Sequence, residues 1–331
     1  MNTPANPREI LALSRNFMEC RVLLTGSELN IFTHLSEPAS SGDLAEKQGW
    51  HERPLTVVLD ALTSMGLLLK KEGFYRTDPA LLPFLRSDSP QTVLPMIRHA
   101  ATIWKNWSNL TRIVTETGGV ESTAGSFENP EDEKAFIGAM HVVARAHAPK
   151  IVQAINPGSA RRLIDVGGAS GTYTIAFLEA CPEMSATLFD LPNVVDMSGE
   201  RIREAGLMDR VTIVAGNFYT ETLPPGHDLA LVSAIIHMNS PEQNMDLYKK
   251  IFDALVPGGR IVIRDHVMKP DKTTPKSGAL FAINMLVGTP KGGTYTYEEI
   301  KIGLTAAGFE NVQLIQEEDQ MMGLVEASRP L

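Results

Sequence analysis

Cysteine, long apolar runs and positive charge are all scarce in this chain of 331 residues. Its two cysteines, Cys20 and Cys181, lie far apart and form no C-x-x-C pair, which favours reduced thiols over a disulfide framework. No apolar run approaches the ~18 residues of a transmembrane helix. The opening residues, MNTPANPREI, lack the basic-then-apolar pattern of a signal peptide. We therefore expect a cytoplasmic protein that does not enter a membrane.

Charge and ligand spacing argue against further classes of protein. The formal net charge is −9, which disfavours a broad surface for nucleic acid or anionic lipid. The histidines and cysteines show none of the spacings of a metal site, so no metal is expected. The chain does contain 43% hydrophobic and 21% charged residues, as globular proteins do, and it is long enough for two domains with full cores.

The N-terminal part has the outline of a winged helix. Apolar residues recur at helical spacing through 7–35. A capped helix start at 41–47 is followed by a second helix at 54–65. Two short strand-like segments, 67–69 and 74–76, then form a small hairpin.

A winged helix suggests DNA binding, but the second helix does not support it. Near its start stand Glu52 and Arg53, and Asp60 follows, so it has one arginine against two acids. A helix that reads a DNA groove should present Arg, Lys, Asn or Gln and a surface for phosphates. We expect dimerisation or a substrate lid instead, and no nucleic-acid partner.

Helices continue through 90–156, and one of them begins at 129–132 with a proline and acids. On that helix Phe136 and Met140 are four residues apart and share a face. They are either core residues or an apolar wall of a substrate pocket. We expect a winged-helix-like domain at 1–100, a helical bridge and lid at 101–156, and a catalytic domain at 157–331.

From residue 160 onward, strands and helices alternate, which predicts a parallel sheet covered on both faces. A hairpin at 312–315 and 321–326 would close the sheet with an antiparallel strand. The other strand candidates are 163–166, 186–189, 211–214, 229–233 and 261–264.

A glycine turn marks a ligand site in this second half. Residues 163–171, LIDVGGASG, read as a strand that ends in a tight turn before a helix at 172–180. Asp190 ends the next strand, where an acid accepts hydrogen bonds from ribose hydroxyls. Asn217 and Phe218 follow the third strand, where an amide and an aromatic ring suit adenine. These features predict an adenosine-containing ligand without separating NAD from S-adenosylmethionine.

The fourth strand ends in a histidine, His237, and a helix begins directly after it. Ser240 and Gln243 form the pattern of a capping box at the start of a helix predicted over 241–256. The next strand carries Asp265 at its end.

With these motifs in this order, nearly the whole chain resembles the S-adenosylmethionine-dependent O-methyltransferases of the plant caffeic acid and acetylserotonin type, together with their bacterial relatives. The resemblance implies an α/β class I methyltransferase fold, with a Rossmann-like seven-stranded sheet and an N-terminal helical winged-helix domain that forms a homodimer. It implies methylation of a small aromatic or phenolic hydroxyl, S-adenosylhomocysteine as product and no metal. His237 would be the general base, and Asp265 would orient it.

The resemblance also implies the residues of the site by position. The implied substrate-pocket residues are Phe136, Met140, Asn284, Met285 and Tyr295. The implied cofactor-binding residues are Asp165, Gly167, Gly168, Asp190, Leu191, Asn217, Phe218 and Ser233.

The chain departs from the family at several of these places. Met238 replaces the usual acid after the histidine, Ser233 replaces a lysine, and Asn217 replaces an acid. Tyr295 occupies the region of a second acid near the histidine, where it would be able to hydrogen-bond that histidine. Ala169 replaces the middle glycine of the turn, a change that should be tolerable if its φ is negative.

Two alternatives follow from these departures. One is a family member that binds S-adenosylmethionine but carries out hydroxylation, decarboxylation or rearrangement. The other is methylation of nitrogen or carbon instead of oxygen. The sequence leaves the acceptor and the pathway open.

Overall fold

The computed structural model describes residues 6–117, 120, 130–319 and 321–331. The chain divides into two compact units. The first comprises Met1–Trp104 and Glu131–Val142, and the second comprises Lys105–Pro130 and Val143–Leu331. The three-part division expected from the sequence stays a prediction.

The first unit has the predicted order of helices followed by a helix pair and a hairpin. Asn6 caps the first helix by accepting the Glu9 N–H at 3.1 Å, and Ser40 caps the fourth. The elements that begin in this unit are α1 (Pro7–Arg15), α2 (Phe17–Glu28), α3 (Ile31–His34), β1 (Ala39–Ser40), α4 (Ser41–Gln48), α5 (Glu52–Ser64), β2 (Leu68–Lys71), β3 (Phe74–Thr77), α6 (Leu82–Leu85) and α7 (Leu94–Trp107).

These elements enclose an apolar core, and some of their large apolar side chains lie outside it. Leu59 and Leu62 on α5 pack with Phe32 of α3 and Tyr75 of β3, all 0–1% exposed. By contrast, five large apolar side chains of α1 and α2 are each about half exposed: Ile10, Leu11, Leu13, Phe17 and Met18.

The later part of the chain alternates strands and helices as predicted. After a short helix α8 (Leu110–Arg112), which runs into a π-helical turn at Ile113–Thr117, the long helix α9 covers Pro130–Ile155. The remaining elements are β4 (Arg162–Val166), α10 (Thr172–Ala180), β5 (Ser185–Asp190), α11 (Pro192–Glu204), β6 (Val211–Ala215), β7 (His227–Ser233), α12 (Pro241–Ala254), β8 (Leu255–Asp265), β9 (Val267–Met268), α13 (Lys276–Gly288), β10 (Tyr295–Thr296), α14 (Tyr297–Ala306), β11 (Glu310–Gln316) and β12 (Gly323–Ser328).

Seven of these strands form one sheet in the order β11-β12-β8-β7-β4-β5-β6. The pairs among β8, β7, β4, β5 and β6 are parallel, whereas β12 pairs antiparallel with both β8 and β11. The apolar residues of each strand alternate between two buried clusters, one on each face. The carboxyl ends of β4, β5 and β7 therefore meet at one edge, where ligands bind in open α/β sheets.

The helix predicted over 241–256 ends earlier, at Ala254. Leu255 already pairs with His227, and Gly258 and Gly259 lie within β8. Gly258 N–H donates to the Arg329 carbonyl at 3.0 Å, and Arg329 N–H donates to the Gly259 carbonyl at 2.8 Å. Pairing with the end of the chain, which is distant in sequence, thus extends the strand.

Candidate active site

The glycine turn lies at the end of β4, in close contact with the next strand. Gly167 has a φ of +72° and donates its N–H to the Phe189 carbonyl at 2.8 Å. A Cβ added to Gly168 would lie 2.9 Å from Leu188 Cγ and 3.0 Å from Asp165 Cγ. Both positions therefore require glycine, the first for its backbone angle and the second for space.

The condition of a negative φ at Ala169 is not met, because the structure gives it a φ of +43°. The Ala169 N–H donates to Asp190 Oδ2 at 2.7 Å. The Gly171 N–H donates to the Gly168 carbonyl at 2.8 Å, which closes the turn. These contacts hold the alanine in a conformation that favours glycine.

Asp190 ends β5 with its carboxylate fixed beside the turn. Oδ2 accepts the Ala169 N–H, and Oδ1 accepts the Leu191 N–H at 2.7 Å. Leu191 itself is 37% exposed next to this carboxylate. The acid expected to bind ribose is therefore held rigidly at the carboxyl edge of the sheet.

Asp165 is the second carboxylate of this edge, and it is buried. It is 1% exposed and accepts a hydrogen bond from Thr174 Oγ1 at 2.6 Å. Burial and, to a smaller extent, the nearby charge of Asp190 together raise the pKa of Asp165 to about 6, against the lowering effect of the hydrogen bond from Thr174. Asp165 therefore carries a charge near neutral pH at a cost in stability.

The Asp165→Asn variant should gain stability relative to the parent as the pH rises. Because the folded-state pKa of Asp165 lies above the unfolded value, the stabilisation from its proton is complete below about pH 4 and lost as the pH rises through about 6. The rise from 3.8 to about 6 corresponds to about 3 kcal/mol. Asparagine does not titrate and can still accept from Thr174. Thermal unfolding of both proteins at pH 4.5 and 7.5 measures this, and a Tm difference independent of pH would contradict it.

In the turn after β6, the two residues expected near adenine contact other residues of the same turn. Asn217 Oδ1 accepts the Tyr219 N–H at 2.9 Å, and Asn217 N–H donates to Glu221 Oε1 at 2.9 Å. The Phe218 ring lies 4.5 Å from the Tyr219 ring, centroid to centroid, and packs against the core. The side-chain oxygen of Asn217 thus stabilises its own turn.

His237 and Asp265 meet at the ends of the neighbouring strands β7 and β8. His237 lies in a 3-10 turn, Ile236–Met238, and is 6% exposed, whereas Asp265 is 1% exposed. His237 Nδ1 is 2.9 Å from both Asp265 Oδ1 and Oδ2. Burial raises the pKa of Asp265, but its attraction to His237 and the hydrogen bond from His266 N–H outweigh this and lower it. The Asp265 carboxylate therefore stays ionised next to Nδ1 of the imidazole.

Two aromatic side chains that the sequence interpretation missed surround this pair. The Phe281 ring, on α13, stands edge-on to His237, with 4.8 Å between centroids and an angle of 88°. The same ring lies 4.8 Å from His266, which follows Asp265 directly. Phe281 is four residues before Met285 and on the same helical face, which was the available signal.

Ser233 accepts a hydrogen bond from a cation on the next strand. Arg264 Nη1 donates to Ser233 Oγ at 3.1 Å, and the two residues are direct neighbours in the register of β7 and β8. Arg264 is only 6% exposed, and nothing in its sequence context indicated a site residue.

The implied substrate-pocket residues have diverse surroundings. Tyr295 is buried, and its hydroxyl donates to the Asn239 carbonyl in place of the hydrogen bond to His237 expected from the sequence. On α13, Asn284 Oδ1 accepts from Trp107 Nε1 at 3.1 Å, and Met285 is 7% exposed.

The remaining two implied pocket residues belong to the first unit. The Phe136 ring lies 4.5 Å from the His99 ring, centroid to centroid, and Met140, also on α9, is partly buried.

Within the described part of the chain, none of the helices is both long and apolar enough to cross a bilayer. No three His, Cys, Asp or Glu side chains in that part of the chain are grouped as metal ligands.

Comparison with known proteins matches both parts of the chain. A family model for an O-methyltransferase domain matches residues 106–310, and one for an O-methyltransferase dimerisation domain matches residues 11–82. The tetracenomycin polyketide synthesis 8-O-methyl transferase of Streptomyces glaucescens is 32% identical over 93% of this chain and 92% of its own. The 3-hydroxy-5-methyl-1-naphthoate 3-O-methyltransferase of Streptomyces sahachiroi is 29% identical over 94% and 91%.

Solved structures share the fold. Human N-acetylserotonin methyltransferase, in complex with S-adenosylmethionine, superimposes with a TM-score of 0.85 over 100% of both chains, at 22% identity.

Proposed function

Because the chain belongs to the O-methyltransferase family, we propose that it methylates a hydroxyl group of a small aromatic molecule, with His237 as the general base. The observation that carries the proposal is the buried His237–Asp265 pair, which lies at the carboxyl edge of the sheet that also holds the glycine turn.

The residues of the turn fit S-adenosylmethionine as the methyl donor. When bound, this molecule supplies an electrophilic methyl group on a positively charged sulfur. Asp190, fixed by two backbone N–H groups, would bind its ribose. Gly167 and Gly168 keep the turn close against β5, at the edge of the sheet where the ligand would bind. Phe218 would contact the adenine ring.

The hydrogen bond to Asp265 determines which nitrogen of His237 can accept a proton. With the Nδ1 proton donated to the carboxylate, the lone pair is on Nε2. Nε2 would take the proton of the acceptor hydroxyl as its oxygen becomes the nucleophile. The ionised Asp265 then stabilises the imidazolium, and Asp265 is therefore a positioning residue.

Phe281 and Met285 support an aromatic acceptor. Both lie on α13, and the Phe281 ring is in direct contact with the His237 ring. A phenyl ring and a thioether favour planar aromatic molecules and tolerate variation among them. The two bacterial relatives are named for a naphthoate and a polyketide, and we extend that class of acceptor to this chain.

Transfer of a labelled methyl group tests the activity. The protein is incubated with methyl-labelled S-adenosylmethionine and a set of hydroxynaphthoates, each paired with its O-methylated form. Label should enter the free hydroxyl compound and not the blocked one. Label in both members of a pair would indicate that the acceptor atom is not the hydroxyl oxygen.

The alternative is non-methylating chemistry on the same fold. It is favoured by Tyr295, which occupies the region of the family's second acid and has its hydroxyl on Asn239. Binding of S-adenosylmethionine without transfer of label to any acceptor would support this alternative.

We also propose a homodimer formed through the first unit. The exposed apolar residues of α1 and α2 overlap the dimerisation-domain match, and such a surface is typical of a contact between subunits. Sedimentation equilibrium should give twice the mass of the chain. Replacing Leu13 and Phe17 with aspartate should shift the population towards monomer, whereas a monomeric parent would contradict the proposal.

A further inference from the structure

Arg264 is a buried cation that the proposed proton transfer does not use. Its side chain is 6% exposed, near the end of β8. Nη1 donates to Ser233, but Nε is buried and has no hydrogen-bond partner among the described residues. A buried charge is unfavourable unless an opposite charge and hydrogen-bond acceptors compensate it. This guanidinium therefore points to an anion that is not part of the described chain.

The surroundings of Arg264 provide a second unused donor. None of the ion pairs within 6–117, 130–319 and 321–331 involves Arg264. Its Cζ lies 5.1 Å from the ring centroid of Tyr173, the second residue of α10. The Tyr173 hydroxyl is also buried without a partner in the described part. Two neighbouring side chains beside the glycine turn thus each hold an unsatisfied donor.

Asp165 is a buried anion on the same face of the sheet. It pairs with Leu231 of β7, which pairs with Val262 of β8, and Arg264 follows two residues later on the same side. Burial raises the pKa of Tyr173, while Arg264 lowers it and Asp165 raises it, so both charges act on this ring. Asp165 and Arg264 nevertheless form no ion pair with each other in the described region.

We propose that Arg264 binds the carboxylate of the amino acid end of S-adenosylmethionine, with Asp165 facing the ammonium group of the same end. The proposal rests on the proposed function, because it requires that donor. An amino acid end carries one charge of each sign a few bonds apart, and it matches a buried anion and a buried cation that do not neutralise each other. A guanidinium also suits a carboxylate because it can donate two parallel hydrogen bonds.

Calorimetric titration with two ligands tests the assignment. S-adenosylmethionine and decarboxylated S-adenosylmethionine differ only in the carboxylate. We expect the parent to bind the former at least ~10-fold more tightly, as for hydrogen bonds between charged groups. Arg264→Leu should raise the Kd for S-adenosylmethionine to that of the decarboxylated ligand and leave the latter unchanged. Arg264→Lys should retain part of the preference, because it keeps the charge.

Arg260→Leu is the matched control. Arg260 lies on the same strand but is ion-paired with Glu326 at 2.5 Å, so its loss should not alter the preference. If Arg264→Leu binds both ligands more weakly by the same factor, or binds S-adenosylmethionine as tightly as the parent does, the assignment of Arg264 is overturned while the proposed function stands. A parent that binds neither ligand would overturn the proposed function as well. If circular dichroism finds Arg264→Leu unfolded, the test uses Arg264→Lys and the parent. A parent that does not bind S-adenosylmethionine more tightly than the decarboxylated ligand already refutes the proposal.

Discussion

Replacing His237 with alanine is expected to lower kcat by about 10²–10⁴-fold, the range for loss of a general base. Alanine removes the only group of the His237–Asp265 pair that can take a proton from the acceptor. The affinity for S-adenosylhomocysteine should change by no more than about twofold, because the turn at the end of β4 and Asp190 stay intact. Steady-state kinetics with the acceptor found in the labelling experiment, together with calorimetry, measures both quantities.

The Asp265→Asn variant tests the positioning role of Asp265 separately from the proton transfer by His237. An amide in place of the carboxylate can donate to Nδ1, which would move the imidazole proton to Nε2 and remove the base. We expect a loss of kcat comparable to that of the His237 variant, with folding and cofactor affinity preserved. Unchanged turnover in His237→Ala would refute its assignment as the base, while leaving the family's methyl transfer in place.

Replacing Gly292 with alanine should have the largest effect outside the His237–Asp265 pair, because it displaces His237 through the backbone. A Cβ at Gly292 would lie 2.5 Å from the His237 carbonyl oxygen and also overlap Thr289 Oγ1. Gly293 N–H already donates to that same carbonyl at 2.8 Å, so the loop and the histidine are in direct contact. A displacement of about 1 Å at a catalytic group can lower the rate by about 10²-fold. We expect a fall in kcat of that order.

Gly293→Ala is the matched control, since a Cβ there meets nothing within 4 Å. It should retain the kcat and Tm of the parent. Equal kcat values for the two alanine variants would contradict the view that the loop at 292–293 sets the position of His237. Crystal structures of both variants would measure the displacement directly.

Local patterns in the sequence predicted most of the fold. The alternating strands and helices after residue 160, the order of helices and hairpin before residue 80, and the capping box at Ser240–Gln243 are all present. These features depend on interactions over a few residues, such as capping hydrogen bonds and apolar periodicity, and a sequence carries that information directly. The glycine turn belongs to the same class, because glycine can adopt the positive φ observed at Gly167 without steric cost.

Contacts between distant residues decided what the sequence left open or indicated wrongly. Ala169 has a positive φ because Asp190, 21 residues away, accepts its N–H. The hydroxyl of Tyr295 bonds to Asn239, 56 residues away, because strand β10 directs the ring into the core. Neither partner can be read from local spacing.

By itself, the sequence determined the family, the order of the elements and the position of His237 at the end of a strand. Only the tertiary structure brought His237 Nδ1 within 2.9 Å of Asp265 and placed Phe281 against the His237 ring. It also buried Arg264 beside Ser233. The physical reason is that each of these contacts joins side chains from different elements, and the register of β7 and β8 and the packing of α13 determine which of them meet.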